Sequence, residues 1–152
     1  MIEHIFVGEL MRQAWLRHWR DFDLLRPVTD AAGYDIVMSA GGSTRHIQLK
    51  SSALGATTAK QNINLALTRQ AAGCVVWIWF DPNNIKLDHF LWIGGNQHEK
   101  IPDLGSRIAK HTKADASGVK KERVNLRTVP KGRFKKILSI SDLFDHLFIG
   151  VV

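Results

Sequence analysis

The chain has little cysteine, no long apolar run and none of the histidine spacings typical of metal sites. With one cysteine among 152 residues it cannot form an intramolecular disulfide, and a zinc site built on cysteines is not expected. No run approaches the roughly 18 apolar residues that span a bilayer, and the first residues lack the pattern of a secretory leader. The seven histidines show no His-x-His or His-Glu-x-x-His spacing, and no glycine-rich loop joins a strand to a helix. These absences predict a protein of a reducing compartment, the cytoplasm, without a membrane contact.

What the chain does contain is an ordinary apolar content and an excess of positive charge. Apolar residues make up 45%, and 21 Lys and Arg face 14 Asp and Glu, which gives a net charge of +7. The length suits one domain, 1–152, with a core at about 1–95 and a basic extension with a final helix at about 96–152. A polyanion is therefore a reasonable partner.

Hydrophobic periodicity predicts an α/β protein. Apolar residues at helical spacing predict a first helix over 5–19, a second over 56–72 and a third over 141–148. Apolar and β-branched runs predict strands at 34–39, 46–52, 74–80 and 88–93, after a short apolar pair at 24–25. The order α, β, β, β, α, β, β indicates an α/β sandwich, with a central mixed sheet flanked by helices.

The most informative segment is the predicted hairpin around Gly41-Gly42. If these glycines form its turn, Asp35 lies directly opposite Gln48, with Cβ atoms about 4.5–5.5 Å apart. Lys50 projects from the same face, about 6–7 Å further along the strand. An acid, an amide and an amine therefore meet on one face of a strand pair.

Removing three polar groups on one face from water costs free energy unless a ligand replaces the lost hydration. A divalent metal ion could do so, and oxygen ligands favour Mg²⁺ or Mn²⁺ over zinc. The alternative is that Asp35 is a turn residue while Gln48 and Lys50 simply face solvent.

The same segments resemble the PD-(D/E)XK nuclease superfamily, which includes restriction enzymes and Holliday-junction resolvases. The resemblance covers about residues 1–93 and rests on Gly8-Glu9 in a helix, 34–37 in one strand and 47–51 in the next. It implies a restriction-endonuclease-like fold and hydrolysis of phosphodiester bonds.

The resemblance also implies roles for single residues. Asp35 would bind the metal, Gln48 would occupy the Asp/Glu position, Lys50 would be the motif lysine, and Glu9 would match the acid of the first helix. The Leu49 carbonyl would add a backbone ligand. Gln48 departs from the motif, because an amide replaces the usual carboxylate and weakens metal binding.

Two further residues are auxiliary candidates. Gln61 stands near the start of the predicted second helix, where members of the superfamily often carry a polar residue, and Ser51 follows the lysine. The alternatives are a solvated helix face for Gln61 and a strand end for Ser51.

Positive charge is concentrated in residues 106–136, which hold eleven Lys or Arg against Asp115 and Glu122. We expect a loop-rich surface that contacts phosphates, and the alternative is a segment that only adds solubility. The candidates for nucleic-acid contact are Lys113, Lys120, Lys121, Arg123, Arg127, Lys131 and Arg133.

The expected function is that of a Mg²⁺- or Mn²⁺-dependent nuclease acting on nucleic acid, with DNA as the expected substrate. Two alternatives stay open: a nuclease-derived module that binds nucleic acid without cutting it, and a basic α/β protein with a protein partner, in which the Asp35 hairpin is incidental. Symmetric nucleases often pair as homodimers, but nothing in the sequence identifies such a contact.

Overall fold

Two α-helices and nine strands form the structure, a computed structural model that describes residues 1–150. The helices are α1 (Ile2–Leu16) and α2 (Ile140–Phe148). The strands are β1 (Asp23–Leu25), β2 (Ile36–Ala40), β3 (Ser43–Ala53), β4 (Lys60–Asn64), β5 (Gly73–Phe80), β6 (Leu87–Gly94), β7 (Ile108–Lys110), β8 (Glu122–Pro130) and β9 (Lys135–Ile137). Short 3₁₀ helices cover Asp30–Ala32, Leu65–Arg69 and Lys131–Arg133.

The strands form two sheets. Six of them make a mixed sheet in the order β1-β2-β3-β5-β6-β9, in which β3 and β5 are parallel and the other neighbours antiparallel. The other three make an antiparallel sheet in the order β4-β8-β7. The predicted α/β sandwich with a central mixed sheet is confirmed.

Each face of the six-stranded sheet has its own core. Along β5, Cys74, Val76 and Ile78 pack with the buried residues of α1 and α2. The alternate residues Val75, Trp77 and Trp79 pack in a second core with side chains of the three-stranded sheet. Because successive side chains of a strand point to opposite faces, β5 must be apolar throughout, as its sequence is. The helices thus cover one face of the sheet and the small sheet covers the other.

Both terminal helices form where their apolar spacing predicts them. The first begins and ends about three residues before the predicted bounds, and it buries Phe6, Leu10 and Ala14 on one face. The last begins after Ser139, whose hydroxyl accepts a hydrogen bond from the Asp142 N–H and so caps the helix. Within residues 1–150, no helix combines the length and apolar character that crossing a bilayer requires.

The predicted helix over 56–72 is wrong. This segment contains β4 and a 3₁₀ helix, and β4 pairs with β8 more than sixty residues further along the chain. Ile63 fits the spacing of a buried helical residue, but it enters the second core from a strand. Asn64 ends the strand and caps the 3₁₀ helix, since its Oδ1 accepts a hydrogen bond from the Ala66 N–H. Pairing with a distant strand has here overridden a local helical pattern.

The basic segment is more ordered than the sequence predicts. Instead of a loop-rich surface, residues 106–136 contribute β7, β8 and most of β9. The register between β7 and β8 shifts after Ile108, which leaves Val124, Asn125 and Leu126 as a bulge in β8. The loop between the two strands spans 111–121, and all of its residues are exposed.

Candidate active site

The site begins with the β2–β3 hairpin, whose predicted register is confirmed. Ala40 pairs with Ser43, and the ladder continues outward to Ile36 and Ile47. Gly41 in the turn has φ +58°, and a Cβ there would lie 2.6 Å from the ring of Trp19, so the indole packs flat against the turn. The paired register ends at Ile36 and Ile47, one residue before the position where Asp35 would stand opposite Gln48.

Asp35 extends the ladder with its side chain. Its backbone N–H donates to the Ile47 carbonyl at 2.8 Å, and its Oδ2 accepts the Leu49 N–H at 2.6 Å. A carboxylate oxygen has thus taken the place that a backbone carbonyl would hold in a longer strand. Since the N–H and C=O of one strand residue point to the same side, the Leu49 carbonyl also lies on the Asp35 side of β3.

Asp35, Gln48 and Lys50 line one cavity of about 480 Å³, which we call the Asp35 cavity. Its other walls come from the turn before β2, from β4 and from β8. The lining residues are Asp30, Gly33, Tyr34, Asp35, Gln48, Lys50, Lys60, Gln61, Asn62, Asn64, Arg123 and Leu126. Three cations face two carboxylates in this set, which suits a phosphodiester with its single negative charge.

Gly33 brings the turn before Asp35 against β4. Its φ is +83°, and a Cβ there would lie 2.9 Å from the Leu67 nitrogen and 3.2 Å from the Asn64 Cβ. A side chain would therefore push the two segments apart. Tyr34 follows, with its ring edge-on to His46, and the His46 Nδ1 lies 2.7 Å from the Ala71 carbonyl oxygen. These contacts hold Asp35 beside the polar residues of β4.

Burial shifts the pKa of both charged groups of the hairpin, Asp35 and Lys50. Desolvation raises the pKa of Asp35 above its ordinary value of 3.8; the Leu49 hydrogen bond opposes the rise, the charge of Glu3 adds to it, and Lys50 opposes it. Desolvation likewise lowers the pKa of Lys50, although Asp35 opposes this. The site thus holds two charges in a partly dehydrated place, where each acts more strongly on a bound ligand than it would in water.

Gln48 contributes a buried oxygen beside the cavity, without a partner among the described residues. Its Oε1 is buried, and within residues 1–150 the structure gives it no hydrogen-bond partner. A buried oxygen without a partner costs about 1–3 kcal/mol, so such atoms in native proteins call for an explanation. A cation would satisfy this oxygen, together with Asp35 and the Leu49 carbonyl. The donors are all oxygen atoms and therefore fit Mg²⁺ or Mn²⁺.

Carboxylates are scarce around this position. Among the described residues 1–150, no three His, Cys, Asp or Glu side chains lie close enough together to hold a metal ion by themselves. Amide and backbone oxygens would thus have to complete the ligand set, and fewer negative charges mean weaker binding.

The acid of the first helix whose charge acts on Asp35 is not the one predicted. Glu9 lines a separate cavity beside Ile85 and Leu138, so its predicted place next to Asp35 is wrong. Glu3 is the residue of α1 whose charge acts on Asp35, and its Oε2 lies 3.7 Å from the Arg26 Nη1. The two glutamates are six residues apart, which separates them by about 120° around the helix. Only one of them can face the sheet end where Asp35 lies.

Of the two auxiliary candidates, Gln61 lines the Asp35 cavity and Ser51 does not. Gln61 lines the cavity, but from β4 and not from a helix. Ser51 is exposed and is not among the lining residues, since it points to the face of β3 opposite to Gln48 and Lys50. The sequence reasoning missed Asp30 and Asn62, and it preferred Gln61 to the neighbouring polar residues Lys60 and Asn64, which also line the cavity. The alternation of Lys60, Asn62 and Asn64 is a strand-like polar pattern that could have revealed one shared face.

The seven basic candidates do not form one surface. Arg123 lines the Asp35 cavity and Lys120 a neighbouring one, while Lys113 and Lys121 are exposed in or next to the 111–121 loop. The other three make contacts within the chain: Arg127 donates to the carbonyls of Val124 and Leu126 inside the β8 bulge, the Lys131 Nζ lies 4.3 Å from the centre of the Trp79 ring, and Arg133 donates to the Asp103 carbonyl.

Comparison with known proteins gives a likeness among solved structures and none among protein families or curated proteins. Among solved structures, the chain is similar to a bacterial homing endonuclease, I-Ssp6803I, with 17% sequence identity over 77% of this chain and 82% of that one. The TM-score is 0.31, below the range that indicates a shared fold, so nothing about the present chain is concluded from this likeness.

Proposed function

We propose that this protein is a metal-dependent nuclease that hydrolyses phosphodiester bonds of nucleic acid at the Asp35 cavity, with DNA as the expected substrate. The observation that carries the proposal is the meeting of Asp35, Gln48 and Lys50 in one cavity that also contains Arg123, where the buried Gln48 Oε1 has no hydrogen-bond partner among residues 1–150. The resemblance of the 35–50 hairpin to PD-(D/E)XK nucleases assigns the same three residues.

Asp35, Gln48 and the Leu49 carbonyl are the groups that would hold the cation, with Glu3 adding negative charge from α1. When bound there, a divalent cation supplies Lewis acidity toward the phosphate and lowers the pKa of a bound water. The Leu49 N–H holds Asp35 Oδ2 in place, which leaves Oδ1 as the second oxygen of the carboxylate.

The basic residues act on the substrate phosphate. Lys50 donates hydrogen bonds to it, and its charge stabilises the negative charge that develops as water attacks phosphorus. Lys60 and Arg123 lie on the β4 and β8 sides of the same cavity, where they hold the flanking phosphate oxygens. The reaction adds water across one P–O bond and gives a terminal phosphate and a hydroxyl.

A second candidate is a binding module that has the same surface without hydrolysis. The scarcity of carboxylates around Asp35 favours it, because an amide at position 48 gives weaker metal binding than a carboxylate would. This candidate predicts salt-sensitive affinity for nucleic acid and no cleavage with any metal.

A cleavage assay with Lys50→Met separates the two. We expect wild-type protein to cut plasmid DNA, single-stranded DNA or RNA with Mg²⁺ or Mn²⁺ and not with EDTA. Lys50→Met should slow cleavage about 10²–10³-fold, because a donor to the developing charge is lost. Lys136→Met, on exposed β9, is the matched control and should cut normally. Full activity of Lys50→Met would contradict the mechanism, and no cleavage by the wild type would favour the binding module.

Glu3 and Glu9 offer a matched pair on one helix. We expect Glu3→Gln to raise the Mg²⁺ concentration for half-maximal cleavage several-fold, because it removes a negative charge that acts on Asp35. Glu9→Gln makes the same change at another cavity and should leave that concentration unaltered. A Mg²⁺ titration of the cleavage rate is the measurement. If Glu9→Gln has the larger effect, the assignment of Glu3 is wrong.

A further inference from the structure

A second cavity, of about 520 Å³, adjoins the Asp35 cavity and shares Lys60 and Asn62 with it. We call it the basic cavity, since its remaining charged walls are Arg107, Lys110 and Lys120, with His111 beside them. Lys110 lies in β7, an outer strand of the small sheet, and Arg107 directly precedes that strand. Neither residue belongs to the 35–50 hairpin or lines the Asp35 cavity.

The shared wall is the polar face of β4. Lys60, Asn62 and Asn64 alternate along that strand and so lie on one face of the small sheet. Asn62 pairs with Thr128 of β8, whose hydroxyl donates to the Asn62 Oδ1 at 2.9 Å. This bond fixes the amide and leaves its Nδ2 hydrogens as donors to a ligand. The two cavities are therefore parts of one groove with a polar floor.

The charge of the basic cavity has one sign. Within the described residues 1–150, no Asp or Glu is among its lining residues, whereas four Lys or Arg are. The four basic side chains are exposed to solvent. A concave surface with cations of this density attracts a polyanion and raises its local concentration.

The dimensions of the groove suit a nucleic-acid backbone. From Asn64 to Lys60 the floor runs about 13 Å along β4, at about 3.3 Å per residue. A strand of B-form DNA advances about 3.4 Å per nucleotide, so the floor spans roughly four nucleotides. The lining of the basic cavity contains no Phe, Trp or Tyr within residues 1–150 on which a base could stack.

We infer that the basic cavity is a backbone-binding subsite, which holds phosphates of the nucleic acid a few nucleotides from the bond that the Asp35 cavity would cut. Only the position of this subsite relative to the cleaved bond rests on the proposed function; the binding of phosphates does not. Contacts of Lys, Arg and Thr side chains to phosphate oxygens carry no direct sequence information, so the subsite positions the substrate without a sequence preference.

The test measures binding in EDTA, where no hydrolysis occurs. The groove variant is Arg107→Gln/Lys110→Gln/Lys120→Gln, and the probes are fluorescein-labelled 30-mers as duplex DNA, single-stranded DNA and RNA. The matched control is Arg12→Gln/Lys86→Gln/Lys136→Gln, which removes the same charge from exposed positions outside both cavities. Duplexes of two unrelated sequences test for base preference.

For duplex DNA we expect the slope of log affinity against log salt to fall by roughly 3 in the groove variant, about 1 for each lost phosphate contact. The control should keep the wild-type slope, and both duplex sequences should respond alike. Equal losses in the two triple variants, or none in the groove variant, would overturn the inference, as would a wild type that binds none of the probes. If the groove variant loses binding but the wild type cleaves no nucleic acid, the subsite is supported and the proposed nuclease is contradicted. If the wild type cleaves and the groove variant binds as well as the wild type, the nuclease is supported and the subsite is contradicted.

Discussion

Replacing Asp35 by asparagine should abolish metal-dependent cleavage and at the same time make the protein more stable at neutral pH. The catalytic loss follows from removing the carboxylate that the proposed cation needs, and we expect it to reach about 10²–10³-fold or more. The gain in stability follows from burial. Desolvation is the largest influence on the Asp35 pKa and raises it, so the ionised carboxylate is less favourable in the folded protein than in the unfolded chain.

The dependence on pH gives this prediction a definite sign. A raised pKa means that the folded protein binds the proton more tightly than the unfolded chain does. The free energy of unfolding therefore falls as the pH rises from the ordinary value of 3.8 through the raised value. Above that window the cost of the charge is fully present; below 3.8 it is absent. Asp35→Asn should remove the cost at neutral pH and change little in acid.

The size of the gain is modest, because Asp35 is only partly buried and its charge attracts Lys50. About 1 kcal/mol is the upper end, which corresponds to a rise in Tm of about 2–4 °C for a chain of this length. The asparagine Oδ1 can still accept the Leu49 N–H, so the hairpin end is retained. Scanning calorimetry at pH 7.5 and pH 4 measures the difference, with Asp21→Asn at an exposed position as control. A lower Tm at pH 7.5, or retained cleavage, would refute this account.

Replacing Arg45 by methionine should have the largest effect on stability. Arg45 is fully buried on β3, where its Nε donates to the Leu147 carbonyl at 2.9 Å and its Nη2 to the carbonyls of Gly95 and His146 at 2.8 and 3.1 Å. Burial lowers the pKa of this guanidinium, but arginine is still charged at neutral pH. Two of its acceptors end α2, where the helix dipole is negative and favours a cation.

Without the guanidinium, the buried Leu147 carbonyl and the partly buried carbonyls of Gly95 and His146 lose their donor. Each unsatisfied group costs about 1–3 kcal/mol, and because the buried charge also disappears we expect a net loss of about 3 kcal/mol. This corresponds to a fall in Tm of about 6–12 °C. Chemical denaturation measures the loss in the free energy of unfolding. Hydrogen exchange shows where the loss occurs, since the amides of the C-terminal turn of α2 should lose protection first. Arg12→Met on the exposed side of α1 is the control. A variant as stable as that control would mean that Arg45 is not what holds the end of α2.

The sequence predicted the elements whose signals are local. The helices at both ends of the chain have apolar spacing that matches one buried face, and Gly41-Gly42 marks a two-residue turn. The turn sets the register of β2 and β3, and this register brings Asp35 and Gln48 to the same end of the hairpin, where both line one cavity. For the same reason the central part of the candidate site, Asp35, Gln48 and Lys50, could be predicted before any tertiary contact was known.

The predictions failed where a distant segment decided the outcome. Residues 56–72 have helical spacing, but β8 offers Ile63 a partner strand and a core to enter. The resemblance assigns Glu9 of the first helix to the site, but Glu9 lines another cavity and the acid of α1 whose charge acts on Asp35 is Glu3. The sequence predicts phosphate contacts for the basic residues Arg127, Lys131 and Arg133. In the structure, each of them makes a contact within the chain.

The sequence by itself determined the hairpin, its register and the polar triad that the hairpin carries, because a tight turn and the twofold alternation of a strand act over a few residues. Only the tertiary structure decided that β4 and β8 form a second sheet over that triad, that the charge of Glu3 and not of Glu9 acts on Asp35, and that Arg107, Lys110 and Lys120 line a cavity beside it. Those arrangements depend on pairing across long stretches of chain, and the free energy of such pairing comes from the cores that the strands enter and not from their own residues alone.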